Sequence, residues 1–130
     1  MNFEELQGLV LDWADDKDLL HEENADRQFM KFIEEVFEFN VEMEKHLSGE
    51  IQFENWYEKA LYRGDIRRSG IPPYPILYME LEMGDIFVTL IILCKQLDIS
   101  PVDCLQKAYK KISKRKGKTI DGTFVKEEDL

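Results

Sequence analysis

Phe29-Met30-Lys31-Phe32-Ile33-Glu34-Glu35-Val36-Phe37-Glu38-Phe39-Asn40-Val41-Glu42-Met43 is the stretch that decides the fold. Phe29, Ile33, Val36, Asn40 and Met43 step by four and three, and Leu47 continues the series. That period predicts one core-facing seam on a long helix. Phe32 and Phe39 widen the seam on one side, and Glu35, Glu38 and Glu42 lie just beyond them. The carboxylates are therefore expected to border the core rather than face away from it. The helix should run from about Ala25 to Leu47, and Ser48-Gly49 stops it.

Working outward, Phe3, Leu6, Leu9, Val10 and Trp13 predict a first helix from about Phe3 to Ala14, with polar residues Asp15 to Glu23 as the connection. Phe53, Trp56, Tyr57, Ala60 and Leu61 predict a short amphipathic helix. Ser69-Gly70-Ile71-Pro72-Pro73-Tyr74-Pro75 has too many breakers to be helical. A third long helix is expected from after Pro75 to about Leu97. Its second half, Ile86 to Cys94, is apolar except at Thr89, which predicts neighbours on most sides. Ser100-Pro101 supplies an N-cap and a first-turn proline for a last helix reaching about Lys116, and Gly117 ends it. Asp121-Gly122 between β-prone flanks predicts a hairpin. The expected class is all-α: an antiparallel bundle of four main helices, an extra short helix and a small C-terminal hairpin, in one domain spanning residues 1–130.

Hydrophobic residues at 44% and charged residues at 34% describe a globular protein, and the apolar stretches fall short of the ~20 residues a membrane span requires. The acidic start, Met1-Asn2-Phe3-Glu4-Glu5, lacks the basic and apolar regions of a signal peptide, so a cytoplasmic location is expected. A net charge of −10 disfavours nucleic acid as a partner. Cys94 and Cys104 have neither a CxxC spacing nor a nearby histidine, and are expected as buried small hydrophobes. Trp13 and Trp56 fit apolar stripes and are expected in the core, with base stacking as the alternative. His21 and His46 are expected at ordinary surface positions. Arg63, Arg67 and Arg68 fall in the connection before the third long helix.

Glu82 and Asp85 repeat the i,i+3 spacing of Glu35 and Glu38. On helices that spacing points each pair of carboxylates the same way, and two such helices side by side would gather four oxygen ligands suited to a hard divalent cation. Asp85 directly precedes the most apolar run of the chain, where an unpaired charge is expensive to bury. A salt bridge is the rival account of it. Two carboxylates ~4 Å apart repel by about 4 kcal/mol at an effective dielectric of 20, so a cluster needs neutralising. Mg²⁺ does this while leaving positions open for phosphates, whereas an acid on a helix taken alone reads as a solvated face.

The combination of Gln28-Phe29-Met30-Lys31-Phe32-Ile33-Glu34-Glu35-Val36-Phe37-Glu38 with Glu82-Met83-Gly84-Asp85-Ile86-Phe87-Val88 resembles the EExxE and ExxD signature of the MazG-like, all-α nucleoside triphosphate pyrophosphohydrolases. Lys111-Ile112-Ser113-Lys114-Arg115 resembles that family's basic motif, and the ending from Arg115 to Lys126 looks like its small phage and bacterial branch. Phe37 stands where the family commonly has glycine, Tyr109-Lys110 stand where an asparagine is often found, and the connection from Glu38 to Glu82 is longer than usual.

The resemblance implies an oligomeric helical bundle, a dimer or tetramer, that cleaves a nucleoside triphosphate between the α and β phosphates with Mg²⁺, for which Mn²⁺ is a substitute. The products would be a nucleoside monophosphate and pyrophosphate. It further implies Glu35, Glu38, Glu82 and Asp85 as metal ligands and Glu34 as the residue that orients or activates water. Lys31, Lys111 and Arg115 would contact phosphate oxygens. The alternatives are a dUTP-specific pyrophosphatase and a non-catalytic helical module that binds nucleotide or protein. A solvated cationic helix end is the alternative for the basic stretch from Lys107 to Lys118.

Overall fold

The computed structural model describes residues 1–48 and 76–130. The expected short helix around Phe53 to Leu61, the proline-rich segment, Trp56 and the three arginines of the connection lie outside the described residues. The described chain is mostly helical, with one two-stranded sheet. It forms two compact units, Met1–Leu97 and Asp98–Leu130.

In the first unit, helix α1 spans Phe3–Asp16 and begins with a reciprocal cap. Asn2 Oδ1 accepts from the Glu5 amide at 2.8 Å, and the Glu5 carboxylate accepts from the Asn2 amide at 3.4 Å. Two of the helix's orphan amides are satisfied in this way. The helix runs two residues beyond the expected stop because its end is also closed by backbone bonds. Leu19 N–H reaches Ala14 O at 2.9 Å and Asp18 N–H reaches Asp15 O at 3.0 Å, with Asp18 at φ 58°. This is a Schellman closure with aspartate in the place glycine usually takes.

A 3-10 turn at Glu22–Asn24 leads into helix α2, Ala25–Ser48. Helix α3, Leu77–Gln96, packs along α2, and α1 packs against α3. Phe3 meets Phe87 edge-on, with ring centroids 6.4 Å apart. Two amide side chains tie the helices at their polar positions. Gln28 Nε2 donates from α2 to the Thr89 carbonyl at 3.2 Å, and Gln96 Nε2 donates to the Leu19 carbonyl at 2.7 Å. Ala14, Ile91 and Ile92 are the buried apolar residues among those described, joined by Thr89 and Gln96. Phe87 remains half exposed, so the apolar half of α3 has fewer neighbours within this unit than its composition predicts.

The seam of α2 differs from the sequence expectation. Of the expected seam, Ile33 and Met43 are half-buried but Phe29, Val36, Asn40 and Leu47 are exposed, whereas Gln28, Phe32, Glu35, Phe39 and Glu42 are all buried or half-buried. The packed face is thus rotated by one residue, about 100° around the axis. The reason is that α2 carries apolar side chains in both registers, so the period alone cannot choose between them. The register adopted places Phe32 and Phe39 against α3 and carries Glu35 in with them.

In the second unit, helix α4 spans Pro101–Ile112, and Ser100 Oγ accepts from the Asp103 amide at 3.3 Å. It ends a turn earlier than expected, because the chain turns at Ser113 and Lys114 into strand β1, Gly117–Ile120. Strand β2, Thr123–Lys126, returns antiparallel with Gly117 opposite Lys126 and Thr119 opposite Phe124. The turn has Asp121 at φ 50° and Gly122 at φ 79°, the left-handed pair a two-residue hairpin requires. Gly117 is obligatory for another reason: a Cβ there would collide with the Val125 carbonyl and stand 2.8 Å from Phe124 Cζ. The expected hairpin is therefore present. No helix among the described residues is long and apolar enough to cross a membrane.

Candidate functional site

The packing of α3 along α2 brings Glu82 to Glu35 and Glu38. One carboxylate oxygen from each lies within 4.8 Å of the other two, close enough to share a cation. Glu35 is 6% exposed, Glu82 half-buried and Glu38 exposed, so the cluster opens from a buried floor to solvent. Glu35 is buried because the rotated seam of α2 turns it toward α3, and Glu38 follows one turn later on the rim.

The electrostatics of the three acids are unfavourable as they stand. Glu38 has its pKa raised, first by a hydrogen bond shared with Glu35 and then by that residue's charge. Glu82 is raised mainly by burial, with the charges of Glu38, Asp85, Glu35 and Glu42 adding to it. Glu35 Oε2 and Glu82 Oε2 are buried and, among the described residues, no amide, hydroxyl or cationic side chain donates to either. A buried carboxylate oxygen without a donor costs about 1–3 kcal/mol or more. A divalent cation would satisfy both orphans and remove the mutual repulsion, so this donor set fits a hard metal ion.

Lys31 supplies the cluster's cation. Its Nζ lies 3.1 Å from Glu35 Oε1 and 3.3 Å from Glu34 Oε2, and both contacts raise its pKa, that of Glu35 the more. Lys31, which the family resemblance implies as a phosphate contact, pairs in this structure with the buried glutamate. Glu34 is exposed beside it.

Asp85 is exposed and its carboxylate is outside the group of three. The expectation that its neighbourhood is too apolar for a solvated charge is corrected: residue 85 lies one turn before the buried positions of α3, on the open side. It acts on the site through its charge on Glu82. Glu42 was not singled out as a site residue, yet it contributes in the same way while pairing with Lys45 at 3.4 Å. Its i,i+7 spacing from Glu35 was the available signal.

Trp13 is 51% exposed, against its expected place in the core, so its ring is accessible on α1. Cys104 is exposed and Cys94 half-buried, which corrects the reading of both as buried. His21 is exposed but hydrogen-bonds Asp18, which raises its pKa.

Lys111 and Arg115 belong to the second unit. They do not share a helix face, because α4 stops at Ile112, but they line one cleft of about 440 Å³ together with Lys114, Lys116, Lys126, Glu127 and Glu128. The hairpin, rather than helical periodicity, brings these side chains together.

No protein-family model matches the chain, and no curated protein or solved structure matches it significantly.

Proposed function

We propose that this chain is a Mg²⁺-dependent nucleoside triphosphate pyrophosphohydrolase, built as an antiparallel four-helix bundle of the MazG-like kind. The observation that supports this reading is the set of three carboxylates from two helices, with two buried oxygens that have no donor among the described residues. Mg²⁺, or Mn²⁺ in its place, would be held by Glu35, Glu38 and Glu82, where it would neutralise phosphate charge and lower the pKa of water.

The chain's own residues divide the remaining work. Glu34 orients the attacking water and takes its proton. The water oxygen bonds to the α phosphorus as the anhydride bond to the β phosphate breaks, and pyrophosphate leaves with the bonding electrons. Lys31 fixes Glu35 and sets its orientation. Lys111 and Arg115 contact phosphate oxygens, Asp85 adds negative charge beside Glu82, and Trp13 offers a face on which a base can stack. A homo-oligomer, dimer or tetramer, is supported by the exposed apolar residues Phe3, Leu6, Leu9 and Trp13 along α1. The cytoplasm is the proposed location.

The test is release of pyrophosphate against orthophosphate from a panel of ribo- and deoxyribonucleoside triphosphates, dUTP included, in Mg²⁺ and in EDTA. Metal-dependent pyrophosphate release, abolished in a folded Glu38→Gln protein, is the expected result. Restriction to dUTP would select the dUTP pyrophosphatase reading. Silence across the panel, with Mg²⁺ still raising the melting temperature, would select a non-catalytic binding module.

A further inference from the structure

The second unit carries a charge pattern opposite to the rest of the chain. Residues 98–130 hold eight lysines and arginines against six acids, whereas residues 1–97 hold nine against 21. Five of the eight cations, Lys111, Lys114, Arg115, Lys116 and Lys126, converge on the cleft between the end of α4 and the hairpin. Among the described residues none of the five forms an ion pair within 4.0 Å, although Glu127 and Glu128 line the same cleft.

Helix polarity accounts for part of this only. A helix C-terminus favours cations in its last turn, which covers Lys110 and Lys111. It does not reach Lys116 beyond the helix or Lys126 at the end of β2. Those two are placed by the hairpin: Lys126 stands opposite Gly117, and Glu127 N–H binds the Lys116 carbonyl at 2.8 Å. Gathering five cations that have no ion-pair partner among the described residues costs electrostatic free energy that an anionic ligand would recover.

The hairpin also sets an aromatic ring beside them. Phe124 and Lys126 are two residues apart on one strand and so share a face. The Phe124 ring lies over Gly117, where a Cβ would come within 2.8 Å of it, and it is 49% exposed. Cations in a cleft, with an exposed ring on the strand face that carries one of them, form the arrangement that tracks consecutive phosphates while a base stacks nearby.

We propose that this cleft binds a run of phosphate groups without any metal, as carried by a single strand of nucleic acid or by free oligophosphate. The cleft is lined by second-unit residues alone, and binding there requires neither the acidic cluster's metal nor hydrolysis. The net charge of −10 is carried by the other unit, whose nine cations stand against 21 acids, so it does not describe this cleft.

The experiment is fluorescence anisotropy of a labelled single-stranded oligonucleotide with the full chain in EDTA, across a salt series, followed by competition with inorganic tripolyphosphate. Binding that weakens with salt is expected. In Lys114→Gln/Lys116→Gln/Lys126→Gln the salt slope should fall by about 2, at roughly 0.7 for each lost single-strand contact. Lys114→Gln alone, at an exposed side chain, should lower it by about 0.7 even if the triple variant fails to fold. Displacement by tripolyphosphate at stoichiometric concentration supports free oligophosphate as the source, and displacement only in large excess supports the strand. No binding of either probe in EDTA, binding only in Mg²⁺, or an unchanged slope in both variants would overturn the proposal.

Discussion

Lys31 Nζ stands 3.1 Å from Glu35 Oε1, one turn away on α2, and so gives a buried glutamate its single positive partner among the described ion pairs. The other oxygen of that glutamate has none. The lysine thus stabilises the metal-free cluster on one side and leaves the other side open.

Replacing this partner separates the two roles. Lys31→Gln is expected to lower stability in EDTA by about 1 kcal/mol, a value kept small because the lysine is half exposed. The rise in melting temperature on adding Mg²⁺ should then exceed that of the unmodified protein, since more uncompensated charge is relieved. Thermal denaturation with and without metal measures both effects.

The acids predict the pH response. Glu82 and Glu38 have folded-state pKa values above their ordinary value, so the folded protein holds more protons than the unfolded chain between those limits. Stability of the metal-free protein should therefore fall as pH rises from the ordinary carboxylate pKa through the raised ones. The stabilisation conferred by Mg²⁺ should grow over the same window, because bound ligands are deprotonated. Denaturation midpoints at a series of pH values, in EDTA and in Mg²⁺, check the sign, and Glu82→Gln should flatten the metal-free slope.

Gln96 is a structural counterpart. It is buried and donates to the Leu19 carbonyl at 2.7 Å, joining the end of α3 to the loop after α1. Gln96→Ala leaves that carbonyl without its donor and opens a void, with an expected loss of about 2 kcal/mol by chemical denaturation. Metal binding should survive it.

At the hairpin, Gly117→Ala should unpair β1 from β2, since the added methyl meets the Val125 carbonyl. Asp121→Asn should be tolerated, because asparagine accepts the left-handed conformation of the turn. Cross-strand amide contacts by NMR distinguish the two.

Elements were legible in the sequence where a cap or turn signal coincided with the expected pattern, as at the helix start Ser100-Pro101 and at the hairpin turn Asp121-Gly122. The bounds of α1 and α4 were less so. The closure around Asp18 is a backbone arrangement, and α4 yields its last turn to a hairpin whose pairing lies further along the chain. The acidic pairs were visible from spacing, but their inequality was not. Glu35 is buried because α2 packs in the register that begins at Gln28 rather than Phe29, a choice made by α3 and not by local period, whereas Asp85 is exposed because it lies one turn before the buried positions of α3. Lys126 joins Lys111 and Arg115 through strand pairing, which helical spacing does not encode.

The most direct measurement is calorimetric titration of Mn²⁺ and Mg²⁺ into the unmodified protein and into Glu35→Gln, Glu38→Gln and Glu82→Gln. The account predicts saturable binding that is weakened at least tenfold in each folded variant, with Asp85→Asn affected less. Equal affinity in all four proteins, or no saturable binding in the unmodified one, would contradict the assignment of these three glutamates as a metal centre.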